Sequence, residues 1–120
     1  MTIEELYEKV GGNYAEAKTR LMNDALIRRF LTKFADTFDI RPLVEAGESG
    51  NGKAIFEAVH ALKGVAGNLA LSKLYALCAD LTEKVRYCQE GAIVDHKDEV
   101  KSIVDEFDAE VTLIKECFHG

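Results

Sequence analysis

Hydrophobic positions recur along this chain at three- and four-residue spacings and nowhere alternate over a strand's length, which is the pattern of amphipathic helices. Thr2, with Glu5 three residues on, forms a capping box that opens a short first helix, and Gly11-Gly12 closes it. Asn13, partnered by Glu16, caps a long helix whose positions Ile27, Phe30, Leu31, Phe34 and Phe38 fall on one face. Arg41-Pro42 ends that run, because the residue before a proline is pushed out of the α region. A short helical piece fits Leu43–Ala46, and Gly47-Glu48-Ser49-Gly50-Asn51-Gly52 reads as a loop. The next long helix starts near Asn51–Lys53 and reaches about Leu69. Ser72 opens another, with stripe Leu74, Leu77, Cys78, Leu81, Val85 and Cys88, stopped by Gly91. Asp95 opens the last, with Val100, Ile103, Val104, Phe107, Val111, Ile114 and Phe118 on one side. The expected fold is all-α: an antiparallel four-helix bundle with an additional short N-terminal helix as a lid.

Length and composition narrow the function classes. One domain over residues 1–120 is expected, and 48% hydrophobic residues supply its core. With 21 Asp and Glu against 15 Lys and Arg, the net charge of −6 argues against a nucleic-acid partner, which would need a basic face. The longest apolar run, Leu74–Ala79, is far short of the roughly 20 residues of a membrane span, so no membrane insertion is expected. The opening Met1-Thr2-Ile3-Glu4-Glu5 lacks the basic-then-apolar order of a signal peptide. Cys78 and Cys88 are too far apart on one helix to bridge, and reduced thiols point to a cytoplasmic protein. Met1 and the compact length favour a free-standing protein over an excised domain.

One helix breaks the bundle pattern. Advancing about 100° per residue from Ile55 puts Val59, Leu62, Ala66 and Leu69 within roughly 40° of it, as a core seam. His60 lands about 140° away, close to Lys53, Gly64 and Gly67, with Phe56 and Lys63 on the flank. Each glycine inside a helix costs about 1 kcal/mol relative to alanine. Packing along the seam does not require them on the opposite face. They either clear space around His60 for a partner or let a neighbouring helix pack closely.

The row His60-Ala61-Leu62-Lys63-Gly64-Val65-Ala66-Gly67-Asn68-Leu69 resembles the signature His-x-Leu-Lys-Gly of histidine-containing phosphotransfer (HPt) domains, and the likeness extends over most of the chain. The resemblance implies a phosphocarrier of multistep phosphorelays, in two-component signal transduction, without kinase activity of its own. His60 would accept a phosphoryl group from a receiver-domain aspartyl phosphate and pass it to another receiver aspartate. Lys63 would offset charge on the phosphoryl oxygens, and Gly64 would keep the approach open. Lys53, Phe56, Gly67 and Thr82 are the candidate binding residues around them. The partners would be receiver domains of response regulators or hybrid histidine kinases, and the carrier needs no cofactor, since the Mg²⁺ belongs to the receiver. Two positions depart from the family pattern. Ala70 stands where a glycine is frequent, and Thr82 is the nearest polar group where many members orient the imidazole with a glutamine.

Two other readings compete. Glu57-x-x-His60 and Glu116-x-x-His119 have the ligand spacing of di-iron bundles, but those ligands must project into the interior and His60 points out. A helical module that docks a receiver or kinase without accepting phosphate would have the same fold. On the plainer reading Phe56 packs at the bundle edge in preference to docking, Thr82 is a surface hydroxyl and Cys78 fills the core, while His96 and His119 are surface residues near helix ends.

Overall fold

A computed structural model describes residues 1–119, and among them seven helices form and no strand. They are α1 (Ile3–Val10), α2 (Tyr14–Leu21), α3 (Asp24–Thr37), α4 (Arg41–Ser49), α5 (Gly52–Asn68), α6 (Ser72–Val85) and α7 (Lys97–His119). The four long helices α3, α5, α6 and α7 enclose the core. Helix α4 bridges α5 and α7, and α1 lies on α7 and α2. The buried stripe is continuous: Ile27, Leu31 and Phe34 on α3; Ile55, Val59, Leu62 and Ala66 on α5; Leu74, Cys78, Leu81 and Val85 on α6; Val100, Ile103, Phe107 and Ile114 on α7. Phe34 meets Phe107 edge-on with ring centroids 5.6 Å apart, and Phe38 leans on both.

Local chemistry explains most boundaries. The Thr2 hydroxyl accepts from the Glu5 N–H while the Glu5 carboxylate accepts from the Thr2 N–H, so the expected capping box exists. Asn13 and Asn51 cap α2 and α5 by accepting from the N–H groups of Glu16 and Ala54. The lid is tied down, since Leu6, Tyr7 and Val10 are buried and the Tyr7 hydroxyl donates to the Leu69 carbonyl at 2.7 Å.

Three expectations are corrected. The helix beginning at Asn13 is two helices, broken at Met22 (φ 78°), where the Asn23 N–H donates back to the Leu21 carbonyl. Asn23 then acts as a second cap, accepting from the Leu26 N–H. Phe30 sits at the edge of the α3 stripe and is exposed. Secondly, α3 stops at Thr37, and Pro42 opens α4 instead of merely ending a run, consistent with its tolerance in a first helical turn. Gly47 lies inside α4, where a Cβ would come within 2.8 Å of Val100, so this glycine permits α4 to touch α7. The loop shrinks to Gly50-Asn51, with Gly50 in the left-handed region at φ 74°. Thirdly, α6 ends at Val85, well before Gly91, and Cys88 lies in the following loop against Gly52. Ala70, where the family pattern favours glycine, adopts φ 54° after α5, a conformation that costs an alanine about 1 kcal/mol.

Glu110 is an acidic residue in phase with the buried stripe of α7. It is 1% exposed, and no donor reaches either carboxylate oxygen among the described residues. Burial holds its pKa well above the ordinary carboxylate range. The neighbouring Glu106 carboxylate, itself 3.2 Å from the Lys73 ammonium, acts in the same direction. Glu110 is therefore protonated in the folded chain at neutral pH and ionised in the unfolded one. The folded chain binds the extra proton, so stability falls as pH rises from the unfolded value, 4.5, toward the raised folded value. Asp39 and Glu99, whose pKa values are lowered by Arg41 and His96 respectively, lose their contributions only on acidification, outside that window. Glu110→Gln is expected to stabilise the protein by roughly 2 kcal/mol at pH 8 and much less at pH 5. Urea denaturation at both values checks this; parallel pH profiles for the two proteins would contradict it.

Candidate functional site

Helix α5 carries the site. Its seam residues Ile55, Val59, Leu62 and Ala66 are fully buried, and this fixes the rotation of the helix. With that face turned in, His60 and Gly64 are exposed, and Phe56, Lys63 and Gly67 are half-buried along the margin. His60, Lys63, Gly64, Gly67 and Asn68 line one side of a cleft of about 450 Å³. Glu16 and Arg20 from α2, Ser72 and Tyr75 from α6, and Ala66 and Ala70 complete the lining.

The two glycines do different things. A Cβ at Gly64 would meet nothing within 4 Å, so nothing inside the protein accounts for a glycine there. A Cβ at Gly67 would lie 3.2 Å from two atoms of the Tyr75 ring. Gly67 is thus a packing glycine that seats Tyr75. That ring in turn lies beneath Lys63, whose Nζ is 5.9 Å from its centroid. Phe56 stacks on His60, with ring centroids 5.4 Å apart and planes 14° apart.

Lys53 lies one face with His60 but is engaged by Glu90 in the loop after α6, at 3.6 Å. Thr82 occupies neither role considered for it. It is fully buried, and its hydroxyl donates to the Cys78 carbonyl at 2.6 Å, so it offers nothing to the imidazole. Cys78 does fill the core, where burial pushes its thiol up to about 12. Glu57, His60, Glu116 and His119 are all exposed, against the inward projection that a di-iron site requires. Among the described residues no three potential ligands gather to hold a metal ion.

Sequence reasoning missed Tyr75, Arg20, Asn68 and Arg86. Tyr75 had a readable signal, an aromatic residue one step off the Leu74–Cys78 stripe. Arg20 did not, because its position depends on the break at Met22. Beside the cleft, a groove of about 700 Å³ runs between α2, α3 and α5. Leu21, Phe30, Phe34, Phe38, Val65 and Leu69 wall it, and it shares Arg20 and Asn68 with the cleft. The site therefore has an apolar shoulder on one side of the histidine.

A family model described as Hpt domain matches residues 19–116. The chain belongs to the Hpt domain family. Hpt domains are phosphotransfer modules of two-component systems; they carry phosphoryl groups instead of acting as kinases, and they interact with receiver domains. The match begins within α2 and ends within α7, so it takes in all of α3, α5 and α6 and most of α7. No curated protein and no solved structure gives a significant match to the chain. No helix of this Hpt domain is long and apolar enough, within the described residues, to cross a membrane.

Proposed function

We propose that His60 is the phosphoaccepting residue and that the chain relays a phosphoryl group between receiver-domain aspartates. A ring nitrogen of His60 attacks phosphorus, the N–P bond forms, and the P–O bond to the donor aspartate breaks with release of its carboxylate. The same displacement in reverse delivers the group to an acceptor aspartate. A neutral imidazole is a competent nucleophile, and the stack on Phe56 covers one face of the His60 ring while the side chain stays exposed. Lys63, held over Tyr75, supplies positive charge to the phosphoryl oxygens from one turn away. Lys53 lies on the same face, paired with Glu90, and becomes available to a receiver that displaces that carboxylate, and bare Gly64 admits the partner's surface. Phe56 backs the imidazole by stacking on it, and Gly67 serves indirectly by seating Tyr75.

The observation that carries this reading is the exposed His60 beside a glycine that no internal contact demands. Buried Leu6, Tyr7 and Val10 make α1 part of the same core, which supports one functional unit over residues 1–120. Receiver partners and the thiol chemistry fit a cytoplasmic carrier. A docking module without transfer would need the same surface but not the nucleophile, and His60 favours the carrier. Incubation with a receiver domain phosphorylated by acetyl phosphate tests it. The carrier takes up a label that is lost in acid and retained in alkali; a docking module binds the receiver and remains unlabelled.

A further inference from the structure

Phe56 stands one helical turn before His60, and the near-parallel rings form an offset stack. Phe56 is itself held, because the Arg86 guanidinium lies over its ring, 6.0 Å from the centroid. Arg86 is fixed in turn by Glu83, whose carboxylate accepts from its Nε at 3.1 Å and its Nη2 at 2.6 Å. A chain of contacts therefore runs from α6 through Glu83, Arg86 and Phe56 to the imidazole. Among the described residues no hydrogen bond to the His60 ring accompanies it, and Thr82 is sealed in the core. An exposed histidine without such support exchanges among rotamers.

We infer that Phe56 is a positioning residue for phosphoryl transfer: its stack holds the imidazole in the orientation that meets the incoming phosphorus. This rests on the reading of His60 as the acceptor. In-line displacement requires the nitrogen lone pair, the phosphorus and the leaving oxygen to align. Ordering the ring before the encounter removes that entropic loss from the transition state. The stack exists before docking, so its contribution appears in the rate within the docked complex and not in affinity. Phe56 exchanges no bond or proton.

Phe56→Leu keeps apolar bulk and removes the flat face; Phe56→Tyr keeps the face. In F56L the His60 ring-proton resonances lose the upfield displacement that a stacked aromatic ring imposes. Single-turnover transfer from a saturating, acetyl-phosphate-charged receiver falls roughly five- to tenfold, the half-saturating receiver concentration changes less than about twofold, and F56Y restores the rate. F56L transferring at the wild-type rate with unmoved His60 resonances would overturn the inference. A raised half-saturating concentration at an unchanged rate would also overturn it, by making Phe56 a docking contact. Failure of the underlying reading shows separately, as undiminished labelling of His60→Gln.

Discussion

His60→Gln leaves the bundle folded and reduces phosphoryl acceptance to background. The side chain is exposed and its ring stacks on Phe56, so the substitution changes stability by less than about 1 kcal/mol. A glutamine side chain has similar reach and polarity, but its amide nitrogen lone pair is delocalised into the carbonyl and does not attack phosphorus. The expected loss of transfer is at least about a hundredfold, without a matching loss of receiver binding. Circular dichroism and thermal unfolding establish that the variant is folded, and quenched transfer reactions measure the loss. A folded H60Q variant that accepts phosphate normally would remove the assignment.

Gly64 gives the second large effect, with stability and function moving in opposite directions. A Cβ there meets nothing, and an interior helical glycine costs about 1 kcal/mol against alanine, so Gly64→Ala should stabilise the free protein by 0.5–1 kcal/mol, roughly. Gly64→Gln gains most of the same helix propensity and places a long side chain one turn from the imidazole. It should therefore raise the unfolding temperature yet lower transfer by about tenfold or more, chiefly through weaker receiver binding. Both quantities can be measured on one preparation. If G64Q transfers normally, the open space beside His60 is not an approach path.

These effects also show what could be read in advance. Inside a single uninterrupted helix, phase needs only residue order. The Ile55–Ala66 seam therefore places His60, Gly64 and Lys63 on the correct sides before any packing is known. The same holds for Thr82: four residues after Cys78 and three before Val85, it lies in phase with the buried stripe of α6, and its hydroxyl concealed this. Relations between helices are less accessible. Gly67 fits either an open approach or close packing by sequence, and the Tyr75 ring against it decides for packing. The break at Met22 had one local signal, the cap-forming Asn23-Asp24 pair, overridden by an apolar phase that continues through Phe34. Glu110 lies in phase with Phe107 and Ile114, so its burial was implicit in the periodicity. Its identity as a charged residue type concealed it.

The central claim is that the phosphoryl group resides on one particular imidazole among three. Electron-transfer fragmentation of the labelled intact protein, kept alkaline, locates the added phosphoryl mass directly. The mass is expected on the backbone fragment that contains His60, with His96 and His119 unmodified. Its appearance on either of those histidines, with His60 bare, would contradict the account.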